Sequence, residues 1–82
     1  MDSIHVRFFA QAREVVGCDS VQLDLDASTT VGDLRRQLTV AHPRLGGLLS
    51  RSAVAVNRTY VADQHPLSGG DEVAVIPPVA GG

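Results

Sequence analysis

The residues with most chemistry to offer are the last four, Val79, Ala80, Gly81 and Gly82. Their side chains shrink from a small apolar group to bare backbone, a shape that threads a passage too narrow for any Cβ atom. A terminal carboxylate is then the one reacting group left. Carboxylates are poor electrophiles until an oxygen becomes a leaving group, and adenylation by ATP in a partner's active site achieves this. The chain would be the substrate of that reaction, not its catalyst. Gly-Gly also occurs at Gly46-Gly47 and Gly69-Gly70, so position gives the pair its meaning: at average glycine usage a chain ends in two glycines about once in 200 cases. Just upstream, Pro77-Pro78 can donate no backbone hydrogen bond and favours an extended form. A preceding strand must stop pairing there, and residues 77–82 are expected to project as a tail from a domain of residues 1–76.

Nothing else in the sequence suggests a self-contained catalytic centre. His5, His42 and His65 are scattered, with no Cys or carboxylate at ligand spacing, so no metal site is expected. Cys18 follows Gly17 in a polar turn with no His nearby in sequence and reads as a free thiol. Asp24 and Asp26 straddle a strand end as solvated surface. Neither a nucleophile triad nor a phosphate loop is present. The seven basic residues are all Arg, which leaves no side-chain amine to attack an activated acyl group on the same molecule.

The totals exclude several classes of partner. Eighty-two residues make one domain, burying roughly 60% of its unfolded surface. Hydrophobic residues at 44% and charged ones at 20% are ordinary for a globular chain. A net charge of −2 gives no basic footprint for nucleic acid or for an anionic membrane. No run approaches the ~18 apolar residues of a membrane helix. With no charged and then apolar leader at the start and a single Cys, a reducing cytoplasm is expected.

The elements that must position the tail follow from periodicity. SIHVRFF at residues 3–9 alternates, with Ile4, Val6 and Phe8 on one face and His5, Arg7 and Phe9 on the other. AQAREVV predicts a short helix over 10–16, stopped at Gly17. VQLDL alternates again. Thr30 and Asp33 resemble a capping box, and Val31, Leu34, Leu38 and Ala41 follow at helical spacing until Pro43 ends the run. PRLGGLLSR reads as an irregular connector. AVAVN and TYVA flank the turn residues Asn57-Arg58, and EVAVI gives a fifth strand. The order predicts an α+β fold, a mixed five-stranded sheet covered by one main helix. Phe9, Tyr60 and Ile76 take the solvent side by parity; if their strands adjoin, they form an exposed apolar patch at the root of the tail.

Three blocks, FFAQAREVVG at 8–17, AVNRTYV at 55–61 and HPLSGGDEVAVIPPVAGG at 65–82, make the chain resemble the MoaD family, the small sulfur-carrier subunits of molybdopterin synthase, with the broader ubiquitin-like carriers behind it. That resemblance implies a β-grasp fold and a role in molybdenum cofactor biosynthesis. It implies that Gly82, with Gly81 beside it, is adenylated by an E1-like (MoeB-like) enzyme and converted to a thiocarboxylate. The tail would then enter the synthase large subunit (MoaE-like), where sulfur passes to cyclic pyranopterin monophosphate. Phe9, Tyr60 and Ile76, with Pro77, Pro78 and Val79, would contact these partners. The chain alone would be non-catalytic and hold no permanent cofactor, ATP being consumed by the activating enzyme. A thiamin-type or other sulfur carrier using the same terminus, and a ubiquitin-like interaction module with an inert tail, are the alternatives.

Overall fold

The computed structural model of the protein describes residues 2–26 and 29–78. Strands β1 (Asp2–Phe8), β2 (Ser20–Leu25), β3 (Ala53–Val56), β4 (Thr59–Val61) and β5 (Glu72–Ile76) form one sheet in the order β2-β1-β5-β3-β4. β1 and β5 run parallel, and every other neighbouring pair is antiparallel. Helices α1 (Ala10–Val16), α2 (Val31–Ala41) and α3 (Gly46–Arg51) complete the chain, with a 3₁₀ turn at Pro43–Leu45. This is the mixed five-stranded sheet that the order of elements predicts, in the β-grasp arrangement that the resemblance implies.

Alternation sorts each strand into a core face and an outer face. Ile4, Val6, Phe8, Val54, Val56, Val73 and Val75 are buried on the core face, where they meet Val31, Leu34 and Leu38 of α2. Fully burying a side chain of this kind contributes about 1.5–3 kcal/mol, so this aliphatic layer dominates the stability of the domain. Val21, Leu23 and Leu25 of the edge strand β2 are only partly buried, packing against the rim of that core.

The connector expected over residues 43–51 is instead helical: the 3₁₀ turn opens with Pro43 in its first turn and runs into α3. Leu45, Leu48 and Leu49 supply the reason. Their spacing puts all three on one side, and all are buried against the core cluster. That burial outweighs the poor helix propensity of Gly46 and Gly47, which disguised the segment in the sequence.

The start of α2 leaves no backbone donor idle. The N–H of Val31 donates to the His65 carbonyl at 3.0 Å and that of Gly32 to the Asp63 carbonyl at 2.8 Å. The Asp33 N–H donates to the Thr30 hydroxyl, while the Thr30 N–H donates to the Asp33 carboxylate at 3.0 Å, completing the capping box. All the orphan donors of a helix N-terminus are thereby satisfied, partly by the loop that leads from β4 towards β5. Arg35 fastens the same loop from the side, its Nε donating to Asp63 Oδ1 at 2.8 Å while its Nη1 donates to the Leu49 carbonyl.

The Thr30 backbone N–H, then its hydroxyl, hold the Asp33 carboxyl below its ordinary value, and nearby Arg36 acts in the same direction. A depressed carboxyl stabilises the fold fully above the unfolded value of 3.8 and loses that contribution as pH falls through its lower folded value. Thermal unfolding should therefore find the advantage of the parent over Asp33→Asn at neutral pH shrinking below pH 3.8. Thr30→Ala should cost about 1 kcal/mol at neutral pH.

Candidate functional site

The candidate site lies on the outer face of the sheet. One row crosses all five strands: Ser20 pairs with Arg7, Arg7 with Ala74, Ala74 with Ala55, and Ala55 with Tyr60. Two alanines in the centre of such a row leave a dip, because their neighbours stand taller. The result is a shallow depression of about 230 Å³ lined by Arg7, Phe9, Ala55, Arg58, Tyr60, Glu72, Ala74 and Ile76. Ala55 is buried even though it faces outward.

Phe9, Tyr60 and Ile76 are thus brought together as parity suggested. Phe9 is 38% and Tyr60 69% exposed, and Ile76 is half-buried. Phe9 stands just past β1 with extended backbone, its N–H donating to the Val75 carbonyl at 3.3 Å, so it reaches the end of the parallel strand β5. Ala53, the first residue of β3, pairs with Ile76 on the other side. The apolar part of the depression therefore lies where β5 ends and Pro77 begins. Pro77 is buried and Pro78 is exposed, so of the two prolines only Pro78 offers surface to a visitor. Val79, Gly81 and Gly82 lie outside the described residues.

The depression also has a charged rim, whose pairing parity alone does not reveal. Arg7 makes an ion pair with Glu72 at 3.5 Å, and its guanidinium carbon stands 5.3 Å from the centre of the Phe9 ring. A cation over an aromatic face is attracted by the ring quadrupole, so Arg7 ties an exposed ring to the middle of the sheet. The alternation of β1 already put Arg7 and Phe9 on one side; the parallel register that brings in Glu72 was not readable from the chain.

The remaining candidates disperse. His5 Nε2 lies 3.0 Å from Ser20 Oγ on the polar half of the outer face, Cys18 is exposed, and Asp24 and Asp26 are solvated. Among the described residues no group of His, Cys, Asp and Glu could hold a metal ion, and no helix is long and apolar enough to cross a membrane. Two larger hollows flank α2 on the helical layer, one lined by Asp33, Gln37 and Val40 and the other by Arg35, Thr39 and Leu49. Neither is lined by any residue of β5.

The strand order and the covering helix define a ubiquitin-like β-grasp domain with an apolar face beside the exit of its last strand. The chain belongs to the ThiS family, whose model matches residues 6–82. It is 44% identical over 81 residues to the molybdopterin synthase sulfur carrier subunit of Escherichia coli, covering 96% of this chain and 99% of that one. Among solved structures it is similar to SAMP1 from Haloferax volcanii, with a TM-score of 0.87, 34% identity and 98% and 99% of the two chains covered. It is also similar to a chain in the complex of subunits 1 and 2 of the molybdopterin-converting factor from Helicobacter pylori, with a TM-score of 0.70, 25% identity and 98% and 99% covered.

A double-mutant cycle combining Arg7→Gln and Phe9→Leu, read by chemical denaturation, should return a coupling of about 0.5 kcal/mol, as expected for a partly exposed cation–π pair. Additive effects would mean that the guanidinium does not hold the ring.

Proposed function

We propose that this chain is the sulfur carrier of molybdenum cofactor biosynthesis, acting as the small subunit of molybdopterin synthase in the cytoplasm. One observation carries the reading: near-full-length likeness to the Escherichia coli sulfur carrier subunit. The likeness to a chain solved in a complex of subunits 1 and 2 of the molybdopterin-converting factor supports a large-subunit partner. An apolar face at the end of β5 is the surface such a partner requires.

The chemistry follows from the tail. In an E1-like adenylating enzyme, a Gly82 carboxylate oxygen attacks the α-phosphorus of ATP, and pyrophosphate leaves. A sulfide-level nucleophile, HS−, then displaces AMP from the acyl carbon, and loss of its proton leaves the thiocarboxylate. Docked in the large subunit, the thiocarboxylate sulfur attacks an electrophilic carbon of cyclic pyranopterin monophosphate and an oxygen substituent leaves it; water then cleaves the acyl–sulfur link, returning the carboxylate and leaving a thiol on the pterin. Two carriers, used in turn, build the dithiolene. The catalytic side chains belong to the partners, ATP is spent by the activating enzyme, and this chain keeps no cofactor. Its own contribution is placement: Phe9, Tyr60 and Ile76 dock, while Gly81 and Gly82 pass where no side chain fits.

A second reading, that the tail is joined to other proteins, is favoured by the likeness to the archaeal modifier SAMP1. Incubation with ATP, the activating enzyme and a sulfur donor should exchange one terminal oxygen for sulfur by intact mass, and deletion of Gly82 should abolish the exchange. The sulfur-charged chain should then yield molybdopterin when mixed with the large subunit and the pterin precursor. An unchanged mass would refute the carrier, and a charged chain that yields no molybdopterin would favour the second reading.

A further inference from the structure

The turn between β3 and β4 holds a residue that its backbone disfavours. Asn57 has φ +50° and Arg58 φ +73°, the left-handed pair that a two-residue hairpin turn requires. Asn is a usual occupant of the first position and Gly of the second. At Gly17 and Gly70 this chain does place glycine at left-handed positions, with φ +87° and +86°. At Arg58 it places a long cationic side chain where a Cβ is strained.

That side chain lines the alanine-floored depression beside Tyr60. Four other arginines have carboxylate partners: Arg7 with Glu72, Arg13 with Asp19, Arg35 with Asp63 and Arg36 with Asp33. Arg58 has none among the described residues. Arg44 and Arg51 also lack one, but both belong to the helical layer. The depression thus holds two guanidinium groups and one carboxylate, Glu72, which Arg7 already engages. A chain of net charge −2 presents a local excess of positive charge on its docking face.

We propose that Arg58 is a specificity-determining residue of this face: its guanidinium receives a carboxylate of the partner protein while an apolar side chain of the same partner segment settles on Ala55 and Ala74. The inference rests on the sulfur-carrier reading and specifies the partner surface, an acidic group beside an apolar tip. An Arg fork suits that role because it binds carboxylate oxygens in pairs and loses little on desolvation. The strain at φ +73° is then retained for binding rather than for folding.

Folding and binding should accordingly respond in opposite senses. Arg58→Gly relieves the left-handed strain, so its melting temperature should equal or exceed that of the parent. Its Kd for the large subunit of molybdopterin synthase from the same organism should nevertheless rise roughly fivefold at low ionic strength, with the difference fading in high salt. Arg58→Glu should weaken binding by about tenfold or more through like-charge contact, and Arg58→Lys should keep most of the affinity. Arg44→Glu, equal in charge change but on the helical layer, should bind like the parent. If Arg58→Gly and Arg58→Glu both bind within about twofold of the parent, the range of an uninvolved surface site, the assignment is overturned while the carrier reading stands. If the parent itself does not bind the large subunit, that reading falls and takes the assignment with it.

Discussion

Everything in this fold depends on the hydrogen bonding of β5 along both of its edges. On one side it runs parallel to β1, with Val6 opposite Val73 and Phe8 opposite Val75; on the other it runs antiparallel to β3, with Val54 opposite Val75 and Val56 opposite Val73. Val73 and Val75 are completely buried as a result. Because side chains alternate, a slip of one residue would turn both valines to water and bring Glu72, Ala74 and Ile76 into the core, so the register is fixed from both sides at once. The same register fixes the outer face. Ala74 must stand between Arg7 and Ala55, and Ile76 beside Ala53, whatever the loops do. The last described residues, buried Pro77 and exposed Pro78, follow this strand directly.

A rigid origin matters for a protein proposed to act through its terminus. A reacting group delivered into another enzyme must arrive in register with that enzyme's catalytic groups, and small misplacements are costly. Here the proposed docking face and Pro77-Pro78, which lead toward the terminus, follow from one strand, so orientation of the first sets the starting point of the second. The pattern of the outer face is consistent with a surface that is visited and released. Its floor is small and apolar, its exposed rings are Phe9 and Tyr60, and its rim is charged. The core beneath is aliphatic throughout except for Phe8.

Much of this was legible in the chain. Period-two alternation identified the strands because each has one wet and one dry face, and the Thr30–Asp33 box identified the start of α2 because a helix end must satisfy its donors locally. The turn at Asn57-Arg58 was legible from a residue tolerant of positive φ. What escaped depended on contacts between distant segments. α3 was hidden because Gly46 and Gly47 argue against helix, while the burial of Leu48 and Leu49 that overrides them is a tertiary effect. The parallel pairing of β1 with β5 joins opposite ends of the chain, so the meeting of Phe9 with Ile76 could be stated only as conditional on adjacency. The ion pair of Arg7 with Glu72 and the burial of Pro77 likewise need the third dimension. Ala10 enters α1 at φ +50°, a conformation that nothing in its residue type foretells.

The central claim is that partners read the outer face of the sheet around the end of β5, leaving the helical layer free. The most direct measurement is an NMR titration of isotope-labelled chain with unlabelled synthase large subunit, following backbone amides. The account predicts that changes concentrate on Phe9, Ala55, Tyr60, Ala74 and Ile76, while Gln37 and the 81% exposed Val40 on α2 stay unmoved. Changes clustered along α2, with the outer face silent, would contradict it.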